Sequence, residues 1–373
     1  MTTPKPPFRA EHVGSLLRPA ALKAARDRAQ AGEMGPDELT AIEDEAIIAA
    51  VRMQEDAGLP VVTDGELRRG AWHTDFLTAL EGVEATRTSY AISFRDDEGH
   101  TEQIATMMTV TGKVRHGRPI MAAPFAFLKS VAHVTPKVSI PSPTYLHLRG
   151  GRRSVPTAVY PDIEGFWADV VEAYAAEIAG LAAAGCSYVQ LDDVSIAFLC
   201  DEAIRAQAAR DGERPDALAV KYAQVISAIA ARRPPGMTLA VHTCRGNHHS
   251  LWMAEGGYES IAEAVFASLD VDGLFLEFDS ERSGGFEPLR FIPRGRRVVL
   301  GLVSSKSPAL EDPDQLKRRI DEAARFVRIE DLALSPQCGF ASTAVGNQLT
   351  EDDERRKLEL VVEVAEAVWG AVA

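Results

Sequence analysis

From about residue 160 onward the chain repeats one pattern: an amphipathic stretch, a glycine or proline break, then a short apolar run that ends in polar residues. In 165–184, Phe166, Val170, Tyr174, Ile178 and Leu181 recur at three- to four-residue spacing, which predicts a helix, and Gly185 stands where a C-cap glycine belongs. Tyr188-Val189-Gln190-Leu191-Asp192-Asp193 then predicts a strand finishing in acid. The unit recurs. Residues 202–232 read as helix, interrupted near 212–215, and 237–241 as a strand ending in His242-Thr243-Cys244. Residues 258–269 read as helix, and 273–276 as a strand ending in Glu277. Residues 298–302 form a strand ending in Ser304-Ser305-Lys306, followed by a helix over 316–327. A strand over 332–334 ends in Ser335-Pro336-Gln337-Cys338-Gly339, and a last helix runs from about 350 to 369. Apolar strands between helices belong to a parallel sheet buried on both faces. An open doubly wound sheet also fits the alternation, but it concentrates its chemistry at one switch point. Here every strand of the series ends in polar residues, as on the C-terminal rim of a barrel. The expected fold is therefore α/β, a (β/α)8 TIM barrel.

The N-terminal third fits less cleanly. Residues 36–58 predict a helix with Leu39, Ile42, Ala46, Ile47, Ala50 and Val51 on one stripe, and 59–62 a strand ending in Thr63-Asp64-Gly65-Glu66. Residues 90–112 alternate with few turn residues and read as a β-hairpin-like excursion from the barrel. Residues 119–153, with five prolines, resist assignment. No linker rich in Gly and Ser divides the chain, so all of 1–373 reads as a single catalytic barrel domain.

Composition excludes several classes. Forty Lys plus Arg against 54 Asp plus Glu leave a net charge of −14, which disfavours nucleic acid and anionic membrane as partners. Four cysteines without a CxxC are no disulfide framework and suit a reducing compartment. No run of about 20 apolar residues exists to span a bilayer. Residues 1–10 hold three prolines and no apolar core, so they do not read as a secretory leader and the expected location is cytoplasmic. There is no GxGxxG, P-loop or GxSxG, so nucleotide cofactors and serine hydrolysis lack support.

The strand ends carry the chemistry. In an extended segment residues i and i+2 share a face, so His242 and Cys244 point the same way. Alone, that pair is a weak signal and fits a buried thiol beside a hydrogen-bonded imidazole better than it fits a metal site. Glu277 and Cys338, each at another strand end, raise the weight of metal: His242, Cys244, Glu277 and Cys338 make a shell suited to Zn2+. The spacing does not suit a zinc finger or ribbon. Two thiolates blunt the Lewis acidity of the metal, so an activated thiol is a more natural product than an activated water.

Glu66 and Asp192 could together hold a substrate ammonium, or each could cap a helix or form an ion pair. Val13, Gly14 and Ser15 could approach a ligand carboxylate, or simply form a turn. Lys306 is a candidate acid or anion clamp, or a solvated loop lysine. Trp72, His73 and Asp75 follow Glu66 closely enough to line a pocket. His248 and His249 are adjacent, so their side chains should diverge rather than share a metal.

These residues resemble the cobalamin-independent methionine synthase family, specifically its C-terminal catalytic barrel and the short bacterial paralogues built from that barrel alone. The resemblance rests on HVGSLLRP (12–19), VVTDGELRRGAWHTDF (61–76), GCSYVQLDD (185–193), VHTCRGNHHS (241–250), LFLEFDSERSGGFEPLR (274–290), VVLGLVSSKSP (298–308) and LSPQCGFAST (334–343), in order along nearly the whole chain. It implies that His242, Cys244, Glu277 and Cys338 bind zinc. It also implies that Glu66 and Asp192 hold the amino group of homocysteine and that Val13, Gly14 and Ser15 meet its carboxylate. The implied reaction moves a methyl group from 5-methyltetrahydrofolate to zinc-activated homocysteine, giving methionine. Three departures bear on the donor. There is no room for the second barrel of the full-length enzymes. Lys306 occupies the position of the family's histidine proton donor. No tryptophan lies in 140–150, where the family stacks a folate; the nearest in sequence are Trp72 and Trp167. Rival readings are alkyl transfer with another thiol or donor, of the epoxide–coenzyme M or methyl-corrinoid type, a zinc hydrolase, and a zinc-stabilised binding protein.

Overall fold

The computed structural model describes residues 5–373, the side chains of 89–91 apart; residues 1–4, part of the stretch read above as lacking a leader, lie outside the described residues. The strands in chain order are β1 (Val61–Val62), β2 (Glu81–Arg95), β3 (Thr101–Arg115), β4 (Thr135–Pro136), β5 (Val138–Pro141), β6 (Tyr188–Asp193), β7 (Thr238–Thr243), β8 (Gly273–Glu277), β9 (Arg297–Val303) and β10 (Leu332–Pro336).

Strands β5 to β10 form a parallel sheet in sequential order, β10-β9-β8-β7-β6-β5. At one edge the chain runs from β5 back through Lys137 to β4, which pairs in parallel with β1, and the Lys137 N–H donates to Val62 O at 2.8 Å. At the other edge residues 9–11 lie along β10: Glu11 N–H donates to Leu334 O and Leu334 N–H to Arg9 O, each at 2.9 Å. The seam closes where Thr63 Oγ1 donates to Gly14 O at 2.6 Å and Leu16 N–H to Gly65 O at 3.0 Å. Residues 9–11, β1, β4–β5 and β6 to β10 are thus eight staves of one barrel.

Helices cover the outside. The helix Ile163–Ala183 starts on Asp162, whose side chain accepts from Glu164 N–H. It ends at Gly185, with Cys186 N–H returning to Leu181 O at 2.9 Å. The helix Glu351–Trp369 opens with a reciprocal capping box between Thr350 and Asp353. Inside the barrel, Phe8, Val61, Tyr188, Ala240, Phe275, Val299 and Ala333 fill an apolar layer.

The hairpin exists and is longer than the alternation suggested: β2 and β3 pair antiparallel over Glu81–Arg95 and Thr101–Arg115. The segment that resisted assignment resolves into the helix Ala122–Val131 and the third stave. Pro136 and Pro141 hide that stave in the sequence; Pro141 ends it, and Pro136 falls at the break between β4 and β5, where the next residue, Lys137, supplies the N–H to Val62 O. The helix expected over 258–269 is shorter, a 3-10 turn Tyr258–Ser260 followed by Ala262–Phe266. Among the described residues no helix is long and apolar enough to cross a membrane.

Candidate active site

The polar strand ends converge on one pocket at the C-terminal rim. Strand β7 ends in His242-Thr243, and Cys244 follows on the same face as His242. Cys338 lies just past β10 and is followed by Gly339, where a Cβ would fall 1.9 Å from Ser15 Oγ; only glycine lets these loops meet. Asn247 Nδ2 donates to Gly339 O at 2.7 Å, tying the two cysteine loops together. His242 Nδ1 or Nε2, Cys244 Sγ and Cys338 Sγ lie within 4.8 Å of one another, and the two sulfurs are 3.8 Å apart.

This trio fits a zinc ion. Two sulfurs on one tetrahedral zinc with bonds of about 2.3 Å stand about 3.8 Å apart, which is the separation observed. Both ring nitrogens of His242 are buried without a hydrogen-bond partner, an expensive arrangement for an imidazole with no ion to ligate. The sulfurs behave as one site: contact with Cys244 holds the Cys338 thiol well below its ordinary value, aided by His242, and the Cys244 thiol is pushed up in return.

Glu277 does not join the trio. It is fully buried, Oε2 accepts the Arg245 N–H at 2.5 Å, and Oε1 accepts from Arg282 Nη2 at 2.6 Å. Burial alone would raise its carboxyl, but Lys306, Arg282 and Arg245 overcome that and hold it down to about 2. Lys306 Nζ stands 3.6 Å from both Glu277 and Asp279 and is not among the residues lining the pocket.

Glu66 and Asp192 face the same pocket as the trio. Glu66 Oε1 accepts from Ser139 Oγ at 2.7 Å, Arg69 Nη1 is 3.4 Å from Oε2, and burial pushes the carboxyl up. Its φ of 55° places a non-glycine residue in the left-handed region, a backbone cost that aims the side chain inward. Asp192 is pushed up to about 7, by burial first and by Glu66. Val13 and Ser15 also line the pocket; Gly14 between them has φ 142°, which few other residues adopt. Asp193 also lines the pocket, but its carboxylate is taken up by the Ile196 N–H at 2.7 Å and by the Thr144 hydroxyl.

The opposite wall is aromatic: Trp72 and His73, which the sequence places near Glu66, line the pocket as expected, and Tyr145 joins them unannounced. Trp72, His73 and Tyr145 form a cluster with ring centroids 4.4–5.3 Å apart. A tryptophan thus reaches residue 145 through space although none lies near it in sequence; Trp167 instead packs on Phe166. His73 is neutral, its pKa driven down to about 3 by burial and then by Arg149. Asp75 does not line the pocket; it caps the turn by accepting from the Gly70 and Ala71 N–H groups at 2.9 and 3.0 Å.

The hairpin supplies Phe94 and Ile104 to the pocket, and Arg149 Nη1 binds it by donating to Thr106 O at 2.9 Å. His248 and His249 converge where the sequence predicted divergence: both rings meet the hairpin residue Glu102, each at 2.9 Å, with His249 in the left-handed region at φ 52°. Arg95 and Trp252 exchange backbone hydrogen bonds of 2.7 and 2.8 Å beside that contact. A second cavity of about 310 Å3 adjoins the pocket across Arg149 and Phe198. Glu102, Phe94, Ile104, Tyr145 and Arg149 carry no local motif, and only the tertiary fold brings them to the site.

The sequence profile of the family described as "Cobalamin-independent synthase, Catalytic domain" matches residues 157–367. The uncharacterized protein YxjG of Bacillus subtilis (strain 168) is 46% identical over 367 residues, covering 98% of this chain and 96% of its own. A methionine synthase of Sulfurisphaera tokodaii is 22% identical over 337 residues, 88% of this chain and 84% of its own. Among solved structures, a candidate vitamin-B12 independent methionine synthase from Listeria monocytogenes superposes with a TM-score of 0.77 at 35% identity, covering 98% of this chain and 99% of that one. The chain therefore belongs to the cobalamin-independent methionine synthase family, as a short (β/α)8 barrel of the catalytic-domain type.

Proposed function

We propose that the protein is a zinc-dependent thiol methyltransferase that methylates homocysteine to methionine, with 5-methyltetrahydrofolate as donor. The observation that carries this reading is the meeting of two cysteine sulfurs and an unpartnered imidazole in one pocket with two buried carboxylates. His242, Cys244 and Cys338 would hold the metal, with Glu277 close behind them. Bound zinc would lower the pKa of an incoming thiol, so that the thiolate is present at neutral pH.

The chain's own residues do the rest. Glu66 and Asp192 receive the ammonium of the amino acid, which relieves the cost of two buried carboxylates in one cavity. Gly14 lets the backbone of 13–15 approach the carboxylate, and Ser15 adds a hydroxyl. The homocysteine sulfur then faces the aromatic wall, where Trp72 and Tyr145 offer a flat surface for the donor. Phe94, Ile104 and Phe198 keep water from the attacking sulfur. The S–C bond forms as the bond from the methyl carbon to donor nitrogen breaks, and that nitrogen takes up a proton.

One observation favours a second reading of the donor. Lys306, at the position of the family's proton donor, points to Glu277 and Asp279 rather than into the pocket. A carrier that departs without needing a proton, such as a methyl-corrinoid, suits that arrangement.

The test is to supply zinc-loaded protein and homocysteine with 5-methyltetrahydrofolate or methylcobalamin, and separately to supply coenzyme M with an epoxide. Methionine from the folate supports the first reading, and methionine from methylcobalamin alone supports the second. Turnover only with the epoxide, or inhibition by every thiol, overturns both.

A further inference from the structure

Beneath the pocket the barrel interior is not apolar throughout. Glu11, Lys137 and Gln190 are buried there to 1% exposure or less. Lys137 Nζ donates to Glu11 Oε2 and Gln190 Oε1, each at 3.1 Å, and to the carbonyl of His12. Glu11 Oε1 is taken by Tyr188 OH at 2.9 Å and the Phe8 N–H at 3.0 Å. The remaining contacts of Gln190 run upward: Nε2 donates to Val13 O and to Asp192 Oδ1, each at 2.7 Å.

The direction of this chain of hydrogen bonds is forced. An ammonium can only donate, so the face of the Gln190 amide toward Lys137 must be its oxygen. The NH2 group must then face Val13 O and Asp192, where both of its hydrogens are used. Burying a lysine in a barrel is costly and would be replaced without loss by apolar packing if it served stability alone. From this geometry we infer that Lys137 and Gln190 are positioning residues: by fixing the amide they orient Asp192 and the Val13 backbone, so that together these select a thiol that carries an amino group. The inference rests on the homocysteine reading of the site and adds to it the residues that set its selectivity.

The probes are homocysteine and 4-mercaptobutyrate, which lacks the amino group, titrated into zinc-loaded wild type, Gln190→Leu and the double variant Lys137→Met with Glu11→Gln. The double variant removes both buried charges together, so no lone charge is left to unfold the barrel. The wild type is expected to bind homocysteine roughly 10-fold or more tighter than 4-mercaptobutyrate, from hydrogen bonds to charged groups. In both variants that preference should fall towards unity, because homocysteine affinity drops further than that of 4-mercaptobutyrate, which loses only the support Gln190 gives the Val13 backbone, while zinc content stays. A merely structural role would weaken both thiols equally. Equal weakening, or an undiminished preference in either variant, overturns the inference while leaving the site's proposed function intact. A wild type that binds neither thiol overturns the function and the inference together.

Discussion

The two walls of the pocket are built differently. The wall with His242, Cys244, Cys338 and Asp192 comes from the C-terminal ends of β6, β7 and β10 of the parallel barrel, and its side chains are at most 7% exposed. The facing wall comes from connections and an excursion: Trp72 and His73, Tyr145 and Arg149, and the hairpin residues Phe94 and Ile104. The strand wall is held by the barrel ladder, so it can keep four distant residues in register. The loop wall is held by contacts outside that ladder, among them the meeting of Glu102 with His248 and His249, the Arg149–Thr106 hydrogen bond and the Arg95–Trp252 backbone pair. Rigid elements hold chemistry that must be exact in position, whereas loops let partner choice change without disturbing it. On this view the strand wall activates the thiol and the loop wall chooses the donor.

The sharpest way to break the contrast is Cys338→Ser. Losing one sulfur from the trio should lower zinc content and cut methyl transfer on the order of a thousand-fold, equivalent to several kcal/mol of lost stabilisation. The melting temperature should move by only a few degrees, because serine nearly keeps the size of cysteine and Cys338 lies past the end of its strand, outside the barrel ladder. Full zinc and full activity would remove the strand wall's role. A collapse of the fold on chelating the metal would instead favour a structural zinc.

Asp192→Asn should weaken homocysteine binding by about 10- to 100-fold, through loss of a charge-assisted hydrogen bond. The KM of the methyl donor should stay within about two-fold, because Asp192 stands on the other wall. Comparable losses for both substrates in steady-state kinetics would mean that the walls are not separable.

Glu102→Ala unlatches the hairpin from His248 and His249. It should change the KM of the donor a few-fold, as expected for a partly exposed ionic contact. The homocysteine dissociation constant, read by calorimetry, should not move. An effect confined to homocysteine would reverse the assignment of the walls.

Glu354→Gln probes the support behind the strand wall. Glu354 Oε2 accepts the Leu17 N–H at 2.8 Å, and burial pushes its carboxyl up from 4.5 to about 8. The folded state therefore keeps this proton between pH 4.5 and 8 while the unfolded chain loses it. Stability falls as pH rises through that window. The glutamine variant should match wild type near pH 5 to within about 1 kcal/mol and exceed it near pH 8 by roughly 3 kcal/mol in urea unfolding. Parallel pH profiles would contradict this.

The same contrast explains what could be read along the chain. The strand wall was legible because each strand end follows an apolar run, so Asp192, His242, Cys244, Glu277 and Cys338 stand out as polar residues where core is expected. Glu277 shows the limit: its place at a strand end is visible, but its capture by Arg282 and the Arg245 N–H depends on loops folding back over it. The first stave, residues 9–11, is too short to give a period, and the third is broken by Pro136 and Pro141. Of the loop wall only Trp72 and His73 were legible, through their closeness to Glu66; nothing local marks Tyr145 as the neighbour of Trp72 or Glu102 as the partner of two histidines. Lys137, inside the unassigned proline-rich stretch, became meaningful only once Gln190 was seen above it.

The central claim is that the trio binds one zinc with a place left for a thiol, and X-ray absorption at the zinc edge tests it most directly. The account expects two sulfur neighbours and one imidazole before homocysteine is added, and three sulfurs after. An unchanged sulfur count on saturation with homocysteine, or no zinc bound by protein prepared with the metal, would contradict it.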